Sequence, residues 1–431
     1  MESLTLPLCQ RPTATVFSPG PLSWIRVVVL AVLLHLLLPA AVRAASPPSA
    51  PKASVSLAEL LEAAAVNNLQ LISADAQVQR YNTRIALIDK LNEPLLAFYY
   101  LDFPVGNISL GEAERINQAQ AGPATKVNTR SVRGKILTGR DMIENQALWF
   151  EYRAADLRLQ VVSQVREAFF KLYFLDKTII ATENGIATLA ELTQSAAAQY
   201  AVGNITQTDV LNLQEQRYRL KAELLEKQQQ RRELATRLNY LAARPITSPL
   251  DPFLDKDLGY DDLVLPRYTA INLISGLFQN RPLMKGYQAL GGRFRAMRGM
   301  VKMYFNRDLQ DEASFEADSG LRAIKAEGTD FYNEVSAAIQ TTMTDLTTNR
   351  ELADLYGRVL IPQARQLYQL SLADFEVGRR DYQAPLTALL SLFRYQEKYY
   401  QALTAFQVDM ARLEGLSGIA LNTPVVAAER Y

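Results

Sequence analysis

From Ser56 onward the apolar residues of this chain recur at three- and four-residue spacing. Leu57, Leu60, Leu61, Ala64 and Ala65 share one face, which predicts a helix from Ser56 to Asn92 that stops before Pro94. The stretch 95–139 is different: Gly and Pro punctuation surrounds short β-like runs such as Leu96-Ala97-Phe98-Tyr99-Tyr100. Asp141 to Ala198 reads as nearly continuous helix, with one glycine, Gly185. Helix resumes at Thr208. There Leu213, Leu220, Leu234 and Leu241 recur at sevens, interrupted by Lys227. Val210, Leu224 and Leu238 form a companion row, interrupted by Arg217 and Arg231. Spacing by sevens predicts helices packed as a coiled coil.

The pattern then repeats. Tyr200-Ala201-Val202-Gly203 returns as Phe375-Glu376-Val377-Gly378, 175 positions on, and the register holds without a gap. Leu211 falls on Leu386, Tyr218 on Phe393, Arg219 on Arg394, Arg237-Leu238 on Arg412-Leu413 and Leu241 on Leu416. Identities are few but sit at the turn and at spaced apolar positions, where a repeated helical hairpin would keep them. Near the start of each half the offset is 213, with Asn67-Asn68 matching Asn280-Arg281. The second copy is therefore shorter between its first helix and its turn, and the loss is assigned to the irregular portion. The expected organisation is a first repeat over 56–243 with a β segment near 95–139, and a second over 268–418 with a shortened β segment near 300–319. A proline-rich link over 244–267 joins them, and a tail runs over 419–431. The second half reads as helix from Tyr332 to Asp374, a turn at Gly378, and helix from Ala384 to Leu416.

The N-terminus carries a secretory address over 1–44. Arg26 precedes an apolar run from Val27 to Ala41, and Val42-Arg43-Ala44 supplies the small-x-small pattern of a cleavage site. A flexible mature N-terminus is expected over 45–55, rich in Pro, Ser and Ala. The chain's one cysteine, Cys9, and one histidine, His35, both lie inside the address. The mature chain is thus expected to have no disulfide, thiolate nucleophile, Cys/His metal site or Ser-His-Asp triad, and no cofactor. Acid pairs such as Asp261-Asp262 fall in the proline-rich link and read as solvated, so an enzyme is not expected. With 46 basic and 45 acidic residues, nothing suggests a nucleic-acid partner. No apolar stretch after Ala45 approaches the length of a spanning helix, a test that β-barrel strands escape.

Gly203 and Gly378 have a backbone reason: a long helix reversing into an antiparallel partner commonly ends on a residue at positive φ. Asp209 with Thr206 or Thr208 can cap the returning helix. On these residues the chain resembles the outer-membrane factor family, the TolC-like channels of tripartite export systems. The carrying positions are Tyr200-x-Val202-Gly203, Thr208-Asp209-Val210-Leu211 and Phe375-x-Val377-Gly378-Arg379-Arg380. Ile361-Pro362-Gln363-Ala364, Arg237-Leu238-Asn239 and Arg412-Leu413-Glu414 complete them, over roughly Ser56 to Gly418.

The resemblance implies a mainly α fold: two tandem long antiparallel helical hairpins forming part of a trimeric α-barrel, with a small β-barrel portion in the outer membrane lipid that the short 300–319 segment leaves reduced. It implies a passive exit duct of a Gram-negative-type cell, docked to a periplasmic adaptor (membrane fusion) protein and through it to an inner-membrane pump. Val202, Gly203, Thr208, Val377 and Gly378 are the implied adaptor-contacting positions, and Asp209 and Arg380 the implied gate latch. Two departures stand out. Ala384 and Thr387 occupy positions where some relatives carry pore-lining acids, and Phe375 lacks the hydroxyl of a latch-supporting tyrosine. The alternative is a periplasmic structural protein that kept the helical bundle and lost the channel.

Overall fold

The computed structural model describes residues 54–90, 129–254, 257–304 and 307–421. The secretory address, most of the expected flexible N-terminus, the β-like run over 95–128 and the end of the tail lie outside the described residues.

The chain enters through a short strand, β1 (Ser54–Ser56), which pairs in parallel with β2 (Asp251–Phe253). Ser54 and Val55 are thus held in a strand, where a flexible N-terminus was expected. Ser56 then caps α1 (Leu57–Asn67): its hydroxyl accepts from the Glu59 amide at 3.2 Å, and the Glu59 carboxylate accepts from the Ser56 amide at 3.1 Å. The helix predicted to run to Asn92 breaks at Asn68 and continues as α2 (Leu69–Lys90). Then come α3 (Thr129–Ala201) and its antiparallel partner α4 (Gln207–Leu241).

The second half opens with short α5 (Ala270–Ser275) and α6 (Leu277–Asn280), then α7 (Pro282–Tyr304) and α8 (Arg307–Asp354). A π-helical turn (Leu355–Leu360) leads into α9 (Ile361–Glu376), and α10 (Gln383–Ser417) returns. At 73 residues, α3 is a spine about 110 Å long. Along it pack α1, α2, α4, α7 and α10, while α8 packs on α7 and α10, and α9 on α10.

The β segment expected near 300–319 is helical instead: 300–304 end α7 and 307–319 begin α8. Residues 129–139, placed in the first β segment by sequence, likewise begin α3. The run Val301 to Phe305 alternates like a strand, but Met300 and Val301 are buried together, and Ala313 and Ala317 one turn apart. Burial at helical spacing between two antiparallel helices outweighs a local β preference. The proline-rich link is pinned as well. Leu250, Leu258 and Leu263 are buried, and the Arg231 guanidinium binds Asp176, Asp251 (2.7 Å) and the Leu250 carbonyl (3.1 Å).

The two halves repeat in their bonds as well as their helices. Asn68 ends α1, and 213 positions later Arg281 ends α6, both with extended backbone. Each then reaches the last turn of its own half's returning helix. Asn68 Nδ2 donates to the Leu241 carbonyl at 2.9 Å, and Arg281 Nη1 donates to the Gly415 carbonyl. Arg281 also forms a fully buried ion pair with Asp156 of α3, Nη2 to Oδ2 at 3.0 Å. Replacing Arg281 by Met strands the Asp156 carboxylate in the core and is expected to cost about 3–5 kcal/mol of stability. Adding Asp156→Leu should recover much of that loss, measured as the denaturation midpoint of each variant.

A second buried carboxylate behaves differently. Burial raises Asp409 of α10 to about 6, against the lowering effect of the hydrogen bond it accepts from Asn349 Nδ2 (2.9 Å). Asp345 of α8 pushes it further up, the neighbouring Arg412 pulls it down, and Glu167 of α3 pushes it up. The folded chain therefore holds this proton where the unfolded chain has released it. The group's contribution to stability falls as pH rises from about 4 to about 6. Asp409→Asn is expected to stabilise the protein by about 1–3 kcal/mol at pH 7.5 and by about half as much at pH 5, read as the shift in Tm at each pH.

Candidate functional site

Both reversals lie at one end of the molecule. The first turn joins α3 to α4 at Gly203 (φ 80°), the second joins α9 to α10 at Gly378 (φ 73°). Their hydrogen bonds match one for one across the repeat. Gly203 N donates to the Tyr200 carbonyl at 3.0 Å and Gly378 N to that of Phe375 at 3.0 Å. Asn204 N donates to Gln199 O at 2.9 Å, and Arg379 N to Asp374 O at 2.8 Å. This is the six-to-one closure that a left-handed glycine permits at a helix C-terminus. A Cβ added at either glycine would meet nothing within 4 Å, so backbone conformation alone demands the residue.

The helices entering the next leg are capped unequally. Thr206 caps α4 and exchanges bonds with Asp209, whose carboxylate accepts from the Thr206 amide (2.9 Å) and hydroxyl (2.8 Å). Of the two threonines suggested by sequence, Thr206 is the cap and Thr208 is exposed. At the second turn Tyr382 precedes α10 without a side-chain cap. Pro385 stands in the first turn of α10, where its missing N–H is harmless.

A small core holds the turns together: Leu189, Leu192 and Ala196 of α3, Leu213 of α4, Phe375 of α9, Tyr382, and Leu389 of α10. Beside this core, polar links cross between the hairpins. Gln199 Nε2 donates to the Glu376 carbonyl at 3.2 Å, and Asn212 Nδ2 donates to the Tyr382 hydroxyl at 3.0 Å. Tyr382 is a residue the sequence reading passed over. Its signal was an aromatic placed directly after the charged Arg379-Arg380-Asp381, where a purely solvated loop has no use for one. Phe375, fully buried here, serves as packing.

Around that core the residues singled out by sequence face outward. Val202 is 70% exposed and Val377 66%, with Gly203, Gly378 and Thr208 exposed beside them. Asp209 and Arg380 do meet partners within the chain, but not each other: Asp209 bonds Thr206, and Arg380 Nε lies 3.4 Å from Asp374 Oδ2. Ala384 and Thr387 bring no acid to this end, and Tyr395, Tyr399 and Tyr400 are packed higher up among Tyr356 and one another. Among the described residues, no cluster of three or more His, Cys, Asp or Glu is arranged to hold a metal ion. No described helix is long and apolar enough to cross a membrane.

No family model matches this sequence, and no curated protein matches it. Solved structures do. A membrane protein from Pseudomonas aeruginosa superposes with a TM-score of 0.65 at 14% identity, over 84% of this chain and 92% of the other. The CmeC outer membrane channel of Campylobacter jejuni gives 0.65 at 10% identity, over 85% and 86%. The outer membrane protein VceC of Vibrio cholerae gives 0.61 at 14% identity, over 84% and 96%. The fold is that of the TolC-like outer-membrane channels, mainly helical, with few strands.

Two glycines test the geometry against each other. Gly203→Ala meets only the left-handed backbone penalty, about 1–2 kcal/mol. Gly418, also left-handed (φ 72°), closes α10 against Asn280, where a Cβ would lie 2.4 Å from the carbonyl oxygen. Gly418→Ala is therefore expected to lower the denaturation midpoint more than Gly203→Ala does.

Proposed function

We propose that this chain is the outer-membrane channel component of a tripartite efflux or secretion system, a passive trimeric exit duct and not an enzyme. The observation that carries this reading is the placement of both helical reversals side by side at one end, each presenting an exposed valine beside a left-handed glycine. A periplasmic adaptor with a helical tip would find two like apolar knobs there, at Val202 and Val377, flanked by Gly203, Thr208 and Gly378. An inner-membrane pump is reached through that adaptor, and outer membrane lipid surrounds the opposite end.

In this reading Asp209 and Arg380 narrow the resting mouth. Each is tied locally within the chain, so the latch forms between neighbouring copies and competes with the Thr206 and Asp374 contacts. Exposed ion pairs of this kind are worth about 0–1 kcal/mol each, so a ring of them holds a mouth closed yet lets it open when several break together. The amide oxygen of Asp209→Asn can still accept from the Thr206 amide and keep the capping box of α4, which separates the latch from helix stability.

A second reading is favoured by one observation: helix occupies 300–304 and 307–319, where membrane strands were expected. A periplasmic structural protein with the same bundle and no closed barrel would look like this at that end. Planar-bilayer conductance of the purified full chain separates the two. The channel reading expects discrete trimer conductance, raised severalfold by Asp209→Asn with Arg380→Gln. Absence of conductance, with the chain recovered as soluble periplasmic protein, selects the second reading. Conductance unchanged by the double variant discards the latch alone.

A further inference from the structure

At the end away from the turns, α7 packs on α3 and α8 around glycines. Trp149 lies over Gly286, Asn145 over Gly292, Phe294 over Gly320 and Tyr287 over Gly328. Each is so close that an added Cβ would stand no farther than 3.3 Å from it. Gly291 differs. A Cβ there would meet one methyl of Leu321 at 3.6 Å, ordinary contact distance, and nothing nearer. Glycine weakens a helix interior relative to alanine, and at Gly291 no described side chain takes up the space in return.

That space belongs to a cleft of about 560 Å³ between α7 and α8, within the range of about 300–1,000 Å³ usual for small-molecule sites. Its two ends differ. Toward the turns it is apolar, lined by Met284, Tyr332 and Phe278 of α6. The last two rings stack at 5.4 Å, yet Phe278 stays 49% exposed. The other end carries Arg295 and Lys325, and no carboxylate lines the cleft. Neither cation forms an ion pair among the described residues. Arg295 Nε instead donates to the carbonyl of Gly291 at 3.3 Å, whereas the neighbouring Arg298 pairs with Asp318 at 3.0 Å. Carboxylates gather outside the cleft, toward its apolar end. Burial raises the Tyr287 hydroxyl pKa most, and Glu327, Asp156, Glu334 and Asp330 raise it further. An anion is therefore repelled from the apolar end and drawn to the cationic one.

We propose that this cleft binds a free, single-chain anionic amphiphile. Its carboxylate sits at the Arg295 and Lys325 end, and its apolar body crosses Gly291 toward Phe278 and Tyr332. From Leu321 to Tyr332 the cleft follows about 16 Å of helix, which suits an extended chain. A bilayer lipid would lie the other way round. In the duct proposed above, lipid surrounds the end opposite the turns, so its tails point away from them, whereas the cleft directs the tail toward them. The choice of a free amphiphile over a bilayer lipid rests on that reading; the site itself does not.

Trp149, with ring centroids 5.5 Å from Tyr287, reports on the cleft once Trp24 is replaced by Trp24→Phe. In the full chain, held in nanodiscs of neutral phosphatidylcholine, ω-bromododecanoate should quench it saturably, and plain dodecanoate should compete. Arg295→Gln with Lys325→Gln should weaken binding about tenfold, and dodecyltrimethylammonium should compete about tenfold less well than dodecanoate. Gly291→Leu, which fills the cleft beside Leu321, should remove the saturable phase and keep the denaturation midpoint. Quenching that rises without saturating is partition into lipid only and overturns the site, as does saturable quenching that survives Gly291→Leu. Equal competition by the ammonium overturns the anionic class. Should Gly291→Leu fail to fold, the charge variant decides, and unchanged affinity there overturns the proposal. Saturable, charge-dependent binding in a chain without conductance supports the site and overturns only the duct.

Discussion

The contact of α10 along α3 is the constraint on which the rest of the molecule depends. With α7 it joins the halves, and at the turn end Leu389 of α10, Tyr382 and Phe375 of α9 share a small core with Leu189, Leu192 and Ala196 that brings the two reversals to a common end. Further up, the same contact is sealed by polar groups: Ser163 donates to the Ala411 carbonyl at 3.0 Å, and Arg166 pairs with Glu414. Because the chain is a repeat, a contact between unlike faces of its halves leaves one of each face unused at the edges. Two such unlike edges are what the proposed ring of copies would bring together.

The hairpins were legible because coiled-coil spacing and a glycine at a forced positive φ are both local signals. The matched register of Gly203 and Gly378 was read from sequence, and the closing hydrogen bonds at the two turns agree to within 0.1 Å. The break at Asn68 was not legible as a break, since asparagine inside an apolar-periodic run carries no compulsory stop. Its matching with Arg281 was visible, yet its work, bonding the end of a helix 173 residues away, belongs to tertiary structure. The shortened β segment was misread because Val301 to Phe305 alternates over a span too short to separate strand from helix.

The site divides in the same way. Val202 and Val377 were named from the motif as contact positions, and both stand exposed at the shared end. Tyr382 was not, because its part depends on Asn212, 170 positions distant. Asp209 shows how one residue serves two scales: it closes the capping box of α4 within the chain, and in the proposed ring it also faces a neighbouring mouth. A carboxylate already held by a cap has a defined position at no further cost in side-chain entropy, which suits a contact that must form and break.

The claim beneath all of this is that the two reversals sit side by side at one end. Pulsed EPR measures it directly, with spin labels on Val202→Cys and Val377→Cys in a Cys9→Ser background, and labelled chains diluted into unlabelled ones. The account predicts one short, narrow distance distribution within a single chain. A long distance, or a broad spread of distances, would contradict it.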